Sequence, residues 1–373
     1  MALLDELQRP TLLVNAEIAR KNIAFMAEKA RQKGVRFRPH FKTHQSAAVG
    51  EWFREEGVTA ITVSSVDMAV YFADHGWDDI TIAFPINVRQ LRTVNALAKR
   101  VRLGLLGESV ESIRHLQEQL EAEVDVWIKI DSGSGRTGLA WDQPTEVARL
   151  AQFVNSNPIT RLRGLLTHAG NTYSAASREE VCQRYRASVT RMANLQSDLW
   201  AGGYGLLELS VGDTPGCTVC SDFGKVDEIR PGNFVFYDGQ MLRLEVCSPQ
   251  QVAAVLAVPV VALHPERNEV VVYGGAVHLS KDVIVENGRP HYGYIVRLEA
   301  NGEWSAPLAE TCMVRLSQEH GIISMPTAEI SGLHIGDWLG VLPAHICLTV
   351  AAMGGYRTLD GGLITTCTTT EPA

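Results

Sequence analysis

The sequence predicts an α/β chain: a (β/α)8 barrel of the TIM type, followed by a C-terminal all-β domain. Three observations carry that reading. Over residues 12–240, short apolar, β-branched runs alternate eight times with polar stretches of helical period. From about residue 241 the helical period fades, and Val-rich runs broken by glycine turns continue to the end. Charged and Gly-rich stretches recur just after the apolar runs, where a barrel gathers its reactive groups. A length of 373 residues suits two domains, a barrel over 12–240 and a β domain over 241–373 joined by residues 1–11.

The elements follow in order. "AEIARKNIAFMAEKARQKG" has helical period, with Asn15 placed to cap it and Gly34 to stop it. Barrel strands are expected at 35–40, 60–64, 80–84, 101–106, 124–131, 162–168, 206–211 and 228–234. "SVESIRHLQEQLEAE" fills one crossover, starting at Glu108–Ser109. The segment after Phe234 reads poorly as a helix, so the eighth crossover is the weakest part. In the second domain "NEVVVYGGAV", "YGYIVRLEANGEW" and "GDWLGVLPAHICLTV" read as strands, and "VAAVLAVPVVAL" as a buried strand pair.

Composition narrows the class. The chain is 46% hydrophobic and 20% charged, as expected of a soluble globular protein. A formal net charge of −8 argues against a general nucleic-acid binder, while leaving room for a local basic pocket. The longest apolar run is too short to span a bilayer and contains Pro259, so no membrane partner is expected. "MALLDELQRP" lacks the apolar core of a signal peptide. Seven cysteines without framework spacing fit reduced thiols, and a cytoplasmic location is expected.

Candidate chemistry begins at "FRPHFKTHQS". With period two, Arg38, His40, Lys42 and His44 share one face, and Phe37, Pro39, Phe41 and Thr43 the other. Neighbouring cations would lower the pKa of Lys42 and free its amine for a Schiff base, as a pyridoxal phosphate enzyme needs. "KIDSGSGRTGL" ends strand five with Lys129, Asp131 and Arg136, and "THAGNTY" ends strand six with His168 and Tyr173. "SVGDTPG", with Gly212, Asp213 and Thr214, and "RPGN" suit a phosphate cradle. Cys217 and Cys220 form a Cys-x-x-Cys with no second pair, and are read as structural. In "LPAHICLTV", a strand would turn His345 and Cys347 to one side, where they could share a metal and leave positions open. Glu319 and His320 of "LSQEHG" could support that site from outside.

With these motifs in hand, the chain resembles the pyridoxal-phosphate enzymes of the alanine racemase fold over nearly its whole length. It is most similar to the D-serine dehydratase and D-threonine aldolase family. The resemblance implies Lys42 as the Schiff-base lysine, with His40 beside it in "RPHFKTH". It places Arg136 near the cofactor's phenolic oxygen, and His168 and Tyr173 beside the cofactor. In "EIRPGNFVFYD" it sets Arg230 against the pyridine nitrogen, with Gly232 and Asn233 at the phosphate. "LSQEHG" followed by "PAHIC" is similar to the family's metal motif, with zinc the first choice and manganese the second. Ala351 and "YGGAVHLSKD" depart from forms common in the family.

The implied activity is a pyridoxal-phosphate- and metal-dependent lyase of D-3-hydroxy amino acids, converting D-serine to pyruvate and ammonia. Retro-aldol cleavage to glycine and an aldehyde is the close alternative. A racemase or a non-catalytic cofactor carrier is a more distant one. The resemblance also implies a head-to-tail homodimer.

Overall fold

The computed structural model describes residues 3–369. These residues fall into two compact units. Residues 24–42 and 50–232 make the barrel unit; residues 3–23, 43–49 and 233–369 make the β unit.

The barrel unit holds the eight expected strands: Arg36–Phe37, Ile61–Val63, Asp79–Pro85, Arg102–Gly107, Val124–Asp131, Thr160–Thr167, Glu208–Val211 and Glu228–Ile229. They are numbered one to eight below. All neighbours pair in parallel, strand one with strand eight and each later strand with the next. A parallel bridge between His40 and Thr62 joins strand one to strand two, so the sheet closes into a barrel. Inward side chains such as Leu106, Trp127 and Leu166 pack the interior. Ser109 caps the helix Val110–Gln119, as expected, by accepting from the N–H of Ser112. After strand eight come a 3-10 turn at Asn233–Val235, a short helix at Gly239–Arg243 and a 3-10 turn at Pro249–Gln251, in place of a full crossover helix. Within the barrel unit, the C-terminal half of helix Ala16–Lys33 packs beside the helix Thr214–Val219 that follows strand seven, where Lys29 donates to the carbonyls of Cys217 and Thr218.

At the N-terminal ends of the strands, charged residues join in a belt. Arg161 and Arg102 share Asp125, and Arg102 and Arg38 reach Asp79. Arg38 and Arg36 reach Glu228, and Arg36 and Arg163 share Glu208. Arg38 and Glu228 are both buried, with Nε 2.8 Å from the carboxylate. Burial opposes the Glu228 charge, but Arg38 outweighs it and holds the carboxyl below its ordinary range. A depressed folded-state pKa stabilises above the unfolded value of about 4.3, and that stability is lost as pH falls through the lower folded value. Glu228→Gln leaves the buried Arg38 charge with Asp79 alone, and a loss of about 3 kcal/mol is expected. The urea midpoint at neutral pH measures it, and an unchanged midpoint would show that the belt adds nothing.

The β unit is built on a sheet of nine strands among the described residues. Their order is Glu269–Tyr273, His320–Ser324, Cys312–Leu316, Gly293–Arg297, Trp338–Pro343, Ala254–His264, Thr11–Val14, Gly355–Thr358 and Leu363–Thr365. The N-terminal strand Thr11–Val14 runs antiparallel to Ala254 through Ala257, because Leu12, Leu13 and Val14 need burial on both faces. The sheet therefore claims residues past the boundary at 11 expected from the sequence. "VAAVLAVPVVAL" is one long strand rather than a pair; its irregularity between Val260 and Ala262 lets it bend and change partners. Among the described residues, no helix is long and apolar enough to cross a membrane.

Candidate active site

The barrel unit gathers polar groups at the C-terminal ends of its strands. After His40 the chain turns over residues 41–44. Phe41 is anchored among Phe53, Phe72 and Trp77, with ring centroids 4.9, 5.0 and 5.1 Å away. Each such ring contact contributes about 0.5–1.5 kcal/mol beyond area burial. This anchor holds the backbone on which Lys42 stands, and the Lys42 N–H donates to His40 Nδ1 at 3.4 Å.

The single basic face expected over 38–44 does not form, because regular pairing ends at Phe37 and the chain turns after His40. Arg38 is engaged by Glu228 and Asp79 in the belt. His44 belongs to the β unit, where burial pushes its pKa down to about 3 and leaves it neutral. His40 remains with Lys42. Burial, then the charges of Lys42, Arg230, His168 and Arg136, hold His40 well below its usual value. His168 is likewise depressed by burial and by Lys42, Arg136 and Lys129. The structure thus brings Lys42, His40, Arg136, His168 and Arg230 into one electrostatic neighbourhood.

The tautomers follow from hydrogen bonds. His168 Nδ1 contacts the carbonyl oxygen of Gly212, so that nitrogen carries the proton and donates. Nε2 is then a free lone pair, a neutral base. On His40, Nδ1 accepts from the Lys42 N–H, so Nε2 carries the proton.

Arg230 is buried at the end of strand eight. Its Nε donates to Ser210 Oγ (2.7 Å) and an Nη to the Thr167 carbonyl (2.6 Å). Burial lowers its pKa to about 10, against the pull of Glu228. A Cβ on Gly212 would come within 3.1 Å of Arg230, so glycine lets strand seven's loop lie against the guanidinium. Lys129, buried on strand five, donates to the Ile130 carbonyl (2.9 Å), and burial with Arg230 and Arg136 nearby lowers its pKa to about 8. The sequence places Lys129 at the end of strand five among the candidate groups, without giving it a role of its own. The signal for that role is a lysine flanked by Ile128 and Ile130, two residues before Asp131.

The loop after strand five is tied by Asp131. Its carboxylate accepts from the N–H groups of Gly133, Ser134 and Gly135, which outweigh burial and hold its pKa below the usual range. Gly138, at φ +111, permits the return: a Cβ there would sit 2.6 Å from the Asp131 nitrogen. Arg136 is carried, solvent-exposed, on this loop.

The strand-seven loop departs from its expected role in one respect. Asp213 caps the short helix Thr214–Val219 through the Gly216 N–H (2.6 Å) and accepts from the Thr172 hydroxyl (2.9 Å). Burial raises its pKa to about 7. Asp213 therefore shapes the cradle, whereas direct contact with a phosphate would set carboxylate against anion. Thr214 offers the better group: its buried hydroxyl has no hydrogen-bond partner among the described residues, and its N–H donates to the Tyr173 hydroxyl at 3.2 Å. An amine at Lys42, a buried guanidinium at Arg230 and an orphan hydroxyl at Thr214 fit pyridoxal phosphate. Gly232 is buried two residues beyond Arg230.

Asn233, His345 and Cys347 belong to the β unit. Asn233 donates its amide to Asp238, at the start of the Gly239–Arg243 helix. His345 and Cys347 do not lie in a strand, as their spacing had implied. The strand Trp338–Pro343 stops, His345 is the N-cap, and Cys347 sits in the helix Ile346–Met353. The tertiary cause is Asp238, whose carboxylate accepts from the Ile346 N–H at 3.1 Å and starts the helix there. Imidazole and thiol are zinc donors, and among the described residues no cluster of three or more His, Cys, Asp or Glu could hold a metal. Glu319 lies 3.9 Å from His278, and His320 is the exposed first residue of the strand His320–Ser324. The Cys217/Cys220 pair does not close on itself; Cys220 Sγ lies 2.6 Å from Cys182 Sγ instead.

Comparison with known proteins places these features in context. The alanine racemase N-terminal domain family matches residues 14–239, and the serine dehydratase domain family matches residues 253–359. A D-threo-3-hydroxyaspartate dehydratase of Delftia sp. is 29% identical, with 96% of each chain covered. A D-serine dehydratase of Dictyostelium discoideum is 26% identical, covering 96% of this chain and 94% of that one. The solved structure of a cysteine-to-alanine variant of a D-threo-3-hydroxyaspartate dehydratase, in metal-free form, matches with a TM-score of 0.88 at 27% identity. That match covers 98% of this chain and 99% of the other.

Proposed function

This chain belongs to the alanine racemase N-terminal domain family, and from that premise we propose that it eliminates water from a D-3-hydroxy amino acid, with D-serine as substrate. It is a pyridoxal-phosphate-dependent lyase of D-amino acids. D-Serine would yield pyruvate and ammonia.

Lys42, Arg230, Thr214, Tyr173 and the backbone at Gly212 and Gly232 would hold the cofactor. When bound, pyridoxal phosphate supplies an electron sink for charge developing at the substrate α-carbon. The Lys42 amine removes the α-proton. Arg230 bonds to protein oxygens and remains a cation, which disfavours a proton on any ring nitrogen it faces. Arg136 offers an exposed cation for a carboxylate or phenolate. His345 and Cys347 would hold a divalent metal, zinc first and manganese second, whose Lewis acidity assists departure of the β-hydroxyl.

The observation that carries the reading is the Lys42, His40, His168 and Arg230 cluster on a barrel whose chain also bears a His-x-Cys helix start. A second reading, aldol cleavage, draws on the neutral His168, whose free Nε2 could take the hydroxyl proton instead. A panel of D-3-hydroxy amino acids, scored for keto acid against aldehyde, separates the two. Keto acid from D-serine is the expected result; glycine and an aldehyde as sole products would sink the dehydratase assignment. Seven free thiols support a cytoplasmic location, and the homodimer belongs to the same reading; fractionation and light scattering test them.

A further inference from the structure

We propose that Thr43 is a positioning residue for the metal ligand Cys347, its hydroxyl donating a hydrogen bond to the ligand sulfur. The proposal rests on the reading of His345 and Cys347 as metal ligands.

The geometry lies within the β unit. Thr43 is fully buried, and its Oγ1 is 3.2 Å from Cys347 Sγ. A buried hydroxyl needs a partner, and this one has the sulfur. The contact is also held from both flanks. On the Thr43 side, the Tyr356 hydroxyl donates to the His44 carbonyl (3.0 Å), and the Cys367 N–H to the Gln45 carbonyl (2.8 Å). On the Cys347 side, Asp238 fixes the Ile346 N–H, and is itself held by the Met241 N–H at 3.1 Å. Neither partner can drift away without breaking bonds to buried groups.

The chemistry sets the direction of the bond. A metal-bound cysteine is a thiolate and has no proton to give, so Thr43 must donate. The O–H stabilises negative charge on a sulfur that is itself buried, and lowers the energy of the sulfur lone pairs. Partners of this kind, outside the ligands themselves, commonly alter metal affinity by about 10–100-fold. The segment "KTHQS" gains a second purpose: beyond Lys42, its threonine serves the metal ligand.

The test uses the full-length protein loaded with Co²⁺, whose thiolate-to-metal absorption reports the sulfur directly. Thr43→Val keeps the side-chain shape and removes the donor. The cobalt–thiolate band should move to lower energy, and affinity, measured by competition with a chromophoric chelator, should fall about 10–100-fold. Thr43→Ser should restore both, which a merely structural role would not require. Should Thr43→Val fail to fold, Thr43→Ala is read in the same way. Wild-type band and affinity in the donor-free variant would overturn the proposal. Absence of any thiolate band in the wild-type protein would instead refute the metal reading, and the proposal with it.

Discussion

Lys42→Ala should lower turnover by at least about 10⁴-fold and remove the visible absorbance of the bound cofactor. The size follows from two losses at one atom. The amine is both the covalent anchor and the base at the α-carbon, so no single remaining group replaces it. Lys129 is the buried amine of this cluster, whereas Lys42 is half-buried, and its pKa of about 8 makes Lys129 the natural rival. It donates to the Ile130 carbonyl and stands among the charges of Arg230 and Arg136. Lys42 stands after the ring anchored by Phe53, Phe72 and Trp77, which gives its backbone a defined origin. Borohydride reduction followed by peptide mapping should label Lys42. A label on Lys129 would reverse the assignment.

The second large effect concerns the metal. Cys347→Ala, or removal of metal by a chelator, should slow D-serine turnover by about 10³–10⁴-fold while leaving the cofactor's absorbance in place. Hydroxide is a poor leaving group unless its charge is neutralised, and a bound divalent cation is worth several kcal/mol for that task, at 1.36 kcal/mol per tenfold in rate. Cys347→Asp, with an oxygen donor in place of sulfur, should keep some metal and move the products toward aldol cleavage. Metal-free protein, verified by elemental analysis, that turns over D-serine at the full rate would defeat this account. So would metal found only at Cys217 and Cys220, although Cys220 already lies against Cys182.

Much of this was legible in the linear chain where the signal is local. The eight barrel strands lie where the apolar runs stand, and Asn15 caps its helix by accepting from the Ile18 N–H at 3.1 Å. The candidate groups at strand ends were visible for the same reason, since a residue after an apolar run is carried to one end of the barrel. The period-two rule failed at 38–44 and again at 345–347. In both places the chain leaves regular pairing after a few residues, and the rule holds only while a strand continues.

The sequence by itself determined the alternation of strands and helices, the change of texture near residue 241, and the inventory of amines, imidazoles and thiols. Only the tertiary structure decided which of them act together. Arg38 lies two residues before His40, yet it is drawn to Glu228, 190 residues away, and leaves the basic cluster. His168 owes its free Nε2 to a carbonyl 44 residues on, at Gly212. Asp238 starts the helix at Ile346, 108 residues later, and Thr43 meets Cys347 across 304. Periodicity is written in consecutive residues, because each peptide unit sets the direction of the next. A buried hydrogen bond or ion pair is chosen by which groups lose water together when the core closes, and no local stretch of sequence records that choice.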